Sequence, residues 1–107
     1  MSTATESPLE IDRLFHALSD EKRIRIIEFL GAGECCVCDL ASALGLGQSL
    51  LSFHLRTLKE AGVVKDRRDG RWVHYALDPT ALERLKAFLG RVERSARRGG
   101  GACCRHG

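Results

Sequence analysis

No stretch of this 107-residue chain is apolar for long enough to cross a bilayer as a helix. No basic start followed by an apolar run marks a secretory leader. The chain is therefore expected in the cytoplasm, without a membrane partner, where thiols stay reduced. No strand-helix-strand pattern surrounds Cys35-x-x-Cys38, so the context that makes such a pair a redox enzyme is missing, and an enzyme is not expected. No internal repeat is visible. Neither sign of charge dominates: 17 Lys and Arg against 14 Asp and Glu give a formal net charge of +3. That excess alone is weak evidence for nucleic acid, because the positions of the cations matter more than their sum. The length allows one small domain with a modest core, to which dimerisation would add stability.

What is present is thiol. The five cysteines are an odd number, so they cannot all pair within the chain. Cys35, Cys36 and Cys38 fall within four positions, and Cys103 and Cys104 are neighbours. Cysteines this clustered close no useful loops. They read as free thiols awaiting a ligand or an oxidant, and thiolates are ligands for soft metals and metalloids.

Periodicity gives the elements. Leu14, Phe15 and Leu18 sit at helical spacing in a first helix from Leu9 to Leu18. Ser19 and Asp20 suit a helix cap, opening a second helix whose apolar positions are Ile24, Ile27, Phe29 and Leu30, and which Gly31 and Gly33 stop. The cysteine cluster leads into a short helix through Leu40 and Leu44. Gly45-Leu46-Gly47 is a turn, and Gln48 to Ala61 is a longer helix with Leu51, Leu55 and Leu58 on one face. Strands are expected from Val63 to Arg68 and from Arg71 to Leu77, joined at Asp69-Gly70, a hairpin signal. Trp72 and Tyr75 fall on opposite faces of the second strand, one of them in the core. Asp78-Pro79 starts a last helix with Leu82, Leu85, Phe88, Leu89 and Val92 on one stripe.

This order predicts a mainly helical fold with a small β-hairpin: a winged helix-turn-helix. The apolar stripes of the terminal helices exceed what so small a core needs, which points to a homodimer built from them. Residues 1–8 read as a tail, 9–97 as the DNA-binding and dimerisation domain, and 98–107 as a Gly/Cys tail. Gln48, Ser49, Ser52, Phe53, His54 and Arg56 decorate the start and outer face of the fourth helix, where a recognition helix meets base edges. His54 reads equally as a buried, hydrogen-bonded histidine. Arg67, Arg68 and Arg71 around the wing tip suit phosphate or minor-groove contact with double-stranded DNA. His16 and His74 read as packing or surface residues, and His106 has no assignment.

Four stretches carry a resemblance: Leu18-Ser19-Asp20-Glu21-Lys22-Arg23-Ile24-Arg25-Ile26-Ile27, Glu34-Cys35-Cys36-Val37-Cys38-Asp39-Leu40, Ser49 to Leu58, and Gly70-Arg71-Trp72-Val73-His74-Tyr75. Together they resemble the ArsR/SmtB family of winged-helix metal-sensing repressors over roughly Leu9 to Leu89. The resemblance implies a homodimer that holds operator DNA when ligand-free and leaves it on binding its inducer. Cys-Val-Cys-Asp-Leu resembles the arsenite and antimonite site of arsenic-responsive members, with Cys36 and Cys38 matching the first two ligands. The third ligand of that pattern would fall at Ala41, where this chain departs from it. The cadmium and lead sensors it also resembles draw further cysteines from an N-terminal extension, and residues 1–34 contain none. The family's zinc, nickel and cobalt site uses Asp and His on the final helix, and Leu82 to Ser95 has no histidine. Some arsenic sensors carry thiols near the C-terminus, where Cys103 and Cys104 lie. As(III) or Sb(III) is the inducer implied, held by three thiolates.

Which three stays open on the sequence. On a regular helix residues two apart diverge and residues three apart share a face, so Cys35 and Cys38 would converge more easily than Cys36 and Cys38. Cys36 joins if it lies in a non-helical turn, and Cys103 or Cys104 could reach in on the Gly99-Gly100-Gly101 tether. The competing readings are a cadmium- or lead-responsive repressor or a thiol redox switch on the same fold, and a structural zinc held by Cys35, Cys36, Cys38 and a histidine.

Overall fold

The computed structural model describes residues 8–99, so the expected tails, Cys103 and Cys104 among them, fall outside the described residues apart from Pro8, Arg98 and Gly99. The element order is α1 (Pro8–Ala17), α2 (Glu21–Leu30), β1 (Cys35–Cys36), α3 (Val37–Leu44), α4 (Gln48–Glu60), β2 (Val64–Asp69), β3 (Trp72–Leu77) and α5 (Pro79–Arg97). The strands form one antiparallel sheet in the order β1-β3-β2. The winged helix-turn-helix is therefore present, with one addition: the first two cysteines form a third strand on the wing rather than part of a helix.

Local chemistry explains the boundaries. The Asp20 carboxylate accepts from the backbone N–H of Lys22 at 2.7 Å and of Arg23 at 3.3 Å, occupying donors that the first turn of α2 leaves free. Asp78 does the same for Thr80 at 3.0 Å, with Pro79 at the first helical position of α5. Gly45, at φ 67°, ends α3 and turns the chain into α4, a conformation an L side chain rarely adopts. The wing turn sits one residue later than expected. Asp69 pairs with Trp72, so the loop is Gly70-Arg71, and Gly70 at φ 64° supplies the positive φ that a primed hairpin turn requires.

The core is built as predicted from one face of α4: Leu51, Leu55 and Leu58 are fully buried with Leu14, Ile26, Leu40 and Val63. Tyr75 is the strand aromatic that packs on this core, while Trp72 is half exposed. In α2 the buried positions are Arg23, Ile26 and Leu30, and the expected Ile24 and Phe29 are 44% and 39% exposed. The helix is turned to bring Arg23 inward. Its Nε donates to the Ala17 carbonyl at 2.9 Å, and its Nη1 donates to His54 Nδ1 at 3.0 Å. A buried guanidinium is tolerated only with such partners.

His54 is thus the buried histidine of the two readings, not a base contact. It is 4% exposed and fastens α4 to the junction of α1 and α2. Burial holds its pKa below the usual imidazole value; Asp20 opposes this, and Arg23 and Lys22 add to it. A pKa held below 6.5 means that the unfolded chain takes up the proton first. Stability from this group is complete above that value and is lost as pH falls through the folded one. Chemical denaturation between about pH 8 and about pH 5 should show the midpoint falling with acidification. His54→Gln, whose amide oxygen still accepts from Arg23, should flatten the slope.

Candidate functional site

The outer face of α4 carries Gln48, Ser49, Ser52, Phe53 and Arg56, all exposed, as a base-reading helix requires. Phe53 is 56% exposed and Leu50 41%, an apolar pair on the same surface that the sequence reading credited only at Phe53. Thymine methyl groups suit such side chains. Between α4 and the wing lies a groove of about 510 Å³, bordered by Gln48, Ser52, Arg56, Arg68 and Arg71. Arg71 lies over the Trp72 ring, 5.9 Å from its centroid, which steadies a cation at the tip.

Arg67 does not belong with these tip cations. It is mid-strand, and it grips Glu34 with two hydrogen bonds, Nη2 to Oε1 at 2.8 Å and Nε to Oε2 at 3.1 Å. The bonds from Arg67 outweigh desolvation and hold the Glu34 carboxyl below its usual range. Glu34 immediately precedes β1, so this pair clamps the cysteine segment to the wing.

Strand geometry sorts the thiols. Cys35 faces Tyr75 and Cys36 faces His74 across the β1–β3 ladder. Successive side chains on a strand leave by opposite faces. Cys35 therefore turns inward with Tyr75 and packs against the core, where burial pushes its thiol pKa up, with Asp39 and Cys36 adding to the effect. Cys36 turns outward with His74 and caps α3 through its backbone alone. Cys36, exposed Cys38, Trp72 and His74 open on one depression of about 480 Å³. Cys38 also borders the groove between α4 and the wing. Cys35 and Cys38 do not share a helical face, because the helix begins at Val37 and Cys35 is on a strand. Among the described residues no three His, Cys, Asp or Glu groups are close enough to hold a metal as they stand. The fit for a soft ion is two thiols at one rim, with a third donor to be brought in.

The profile of the bacterial regulatory protein arsR family matches residues 20–66, from the cap of α2 into β2. A cadmium resistance transcriptional regulatory protein CadC homolog of Staphylococcus aureus is 40% identical over 89 residues, 80% of this chain and 74% of that protein. The chain belongs to the arsR family. An arsenical resistance operon repressor of Escherichia coli is 48% identical over 68 residues, 63% of this chain and 58% of the repressor, so the match spans under two thirds of that relative's length. The solution structure of a homodimeric winged helix-turn-helix DNA-binding domain from Mycobacterium bovis, a possible ArsR-family regulator, matches with a TM-score of 0.67. Its identity is 28%, over 86% of this chain and 91% of that one. Family and fold are those of DNA-binding transcription regulators, which are not enzymes. No helix among the described residues is long and apolar enough to cross a membrane.

Sequence reasoning about this arsR-family chain missed Glu34, Trp72 and His74 as neighbours of the thiols. The one available signal was the strand character of Trp72 to Leu77, to which a short extended cysteine segment could pair. Thiol reactivity should follow the geometry. In limited alkylation read by peptide mass spectrometry, Cys38 should react first, Cys36 next, and Cys35 several-fold more slowly than either, since the thiolate is the reactive form.

Proposed function

We propose that this chain is a metalloid-responsive transcriptional repressor acting in the cytoplasm. As a ligand-free homodimer it holds operator DNA, and it leaves when arsenite or antimonite is taken up by Cys36, Cys38 and a third thiolate. The observation that carries this reading is the position of Cys38, on the rim of the thiol depression and on the border of the groove between α4 and the wing. An ion drawing Cys36 and Cys38 together distorts the first turn of α3, which no side-chain hydrogen bond caps. The third thiol is supplied by Cys103 or Cys104, or by Cys35 if it turns out of the core. The arsenical repressor among the relatives supports the ligand class.

The dimer rests on α1 and α5. Phe15 meets Phe88 edge-on at 5.7 Å, which joins the two helices. Beyond them, Leu89 and Val92 are 52% and 51% exposed on a helix of 19 residues, about 28 Å long, whose buried residues are Ala81 and Leu85 near its start. A second copy covering this half of α5 accounts for that stripe, and the homodimeric Mycobacterium bovis relative supports it. Two recognition helices at fixed spacing must both fit their half-sites, so a small shift in each spoils both contacts. A coupling of about 3 kcal/mol lowers operator affinity roughly 150-fold and tightens inducer binding to the DNA-free form by the same factor.

The test is operator binding by fluorescence anisotropy under reducing conditions with arsenite titrated in. The wild type should release DNA, and Cys36→Ser and Cys38→Ser should hold it at all arsenite concentrations. Unchanged wild-type binding overturns the reading. Arg71→Ala should weaken DNA binding across sequences and lower the slope of log affinity against log salt by about one, the mark of a lost phosphate contact.

A further inference from the structure

Leu50 and Phe53 are the large apolar side chains that α4 leaves exposed. Three residues apart, they share one side of the helix. Leu51, His54, Leu55 and Leu58 form its buried side, and Gln48, Ser52 and Arg56 border the groove toward the wing. Leu50 and Phe53 do not border that groove. The outer face of α4 therefore has a polar edge beside the wing and an apolar edge away from it. Phe53 is steadied from behind: its ring meets the buried His54 ring edge-on, with 5.3 Å between centroids, and His54 is in turn held by Arg23. A side chain already held in place loses little freedom when it is covered.

Whatever covers this pair must also suit its neighbours. Arg56 stands one turn beyond Phe53, and Arg68 and Arg71 lie across the groove. The first turn of α4 has no acidic residue and no side-chain cap, so its backbone N–H groups are left to an incoming anion. A second copy docked here about a two-fold axis would set this arginine-rich edge against itself. DNA meets both demands at once. It offers phosphates to the arginines and, in the major groove, the 5-methyl group of thymine, the one methyl among the four base edges.

We propose that Leu50 and Phe53 select operator sequence by packing on the 5-methyl groups of thymines in the major groove. The proposal rests on the reading of α4 as the helix that meets base edges, and it names what the apolar edge of that helix recognises. Gln48, Ser52 and Arg56 discriminate by hydrogen bonds. The apolar pair needs none, and it tells thymine from cytosine by the methyl group alone. Its spacing sets the register. A rise of about 1.5 Å per residue separates Leu50 from Phe53 by about 4.5 Å along the helix, close to one base step of about 3.4 Å. Each half-site therefore offers the pair methyl groups on neighbouring base pairs.

The experiment selects duplexes from a random pool with the ligand-free full chain. The enriched duplex is then resynthesised with deoxyuridine in place of thymine, one position at a time. Uracil pairs with adenine as thymine does and lacks only the methyl group. Affinity is read by fluorescence anisotropy at one fixed salt concentration. Expected is a loss of about fourfold for each methyl removed from the thymines that the pair meets, the worth of one buried methyl group, and little change at other thymines. Leu50→Ala and Phe53→Ala should each weaken binding to the thymine duplex and shrink its advantage over the uracil duplex, because side chain and methyl form one interaction. Arg71→Ala should weaken both duplexes alike and keep the difference. Leu50→Ala leaves the Phe53–His54 contact in place, so it serves if circular dichroism shows Phe53→Ala misfolded. Uracil tolerated at every position, or a uracil penalty unchanged in the alanine variants, overturns the proposal. Alanine variants that change the oligomeric state in sedimentation while keeping the full uracil penalty assign the patch to a protein contact instead. No enriched duplex at all sinks the DNA-reading assignment of α4 as well, which a uracil-tolerant operator does not.

Discussion

The backbone ladder that pairs Cys35 with Tyr75 and Cys36 with His74 is the constraint on which the thiol chemistry depends. Alternation along two residues of strand turns the half-buried Cys35 against the core and the half-buried Cys36 to the opposite face. The same ladder makes the cysteine segment part of the wing sheet, and the bidentate Glu34–Arg67 pair binds it there a second time. A two-bond carboxylate–guanidinium fork is among the better-formed ion pairs. Its importance is geometric: it joins the cysteine segment to β2, while the chain runs directly from β1 into α3.

Both α4 and the wing are therefore joined to the cysteine segment. α4 follows α3 through the Gly45 turn, and β3 is hydrogen-bonded to β1. The buried face of α4 is held differently, by its leucines and by the Arg23–His54 contact at the end of α1. The Lys59–Asp66 pair at 3.0 Å ties the end of α4 to the wing. The outer face of α4 is anchored from behind, and its neighbour α3 opens on Cys36 without a side-chain cap.

Most of the architecture was legible because it rests on local chemistry. Asp20, Asp78-Pro79 and the Gly45-Leu46-Gly47 turn announce their helices, and Leu51, Leu55 and Leu58 announce the buried face of α4. The turn at Gly70 was placed within one residue, since register depends on pairing across the hairpin and not on the dipeptide alone. What was illegible came from distant pairing. Two residues are too short for a strand pattern, so β1 exists only because β3 offers it an edge. From that follow the inward turn of Cys35, the meeting of Cys36 with His74, and the clamp that removes Arg67 from the wing tip. In α2 the apolar pattern pointed to Ile24 and Phe29, and a buried arginine, satisfied by His54 and a carbonyl, took the inward face instead.

Trp72 is the chain's single tryptophan, and its ring walls the thiol depression while carrying Arg71 above it. Its indole therefore stands at the boundary between the thiol depression and the groove between α4 and the wing. Any light it emits comes from that boundary alone, so the unmodified protein carries its own optical probe, with no label and no background from a second indole.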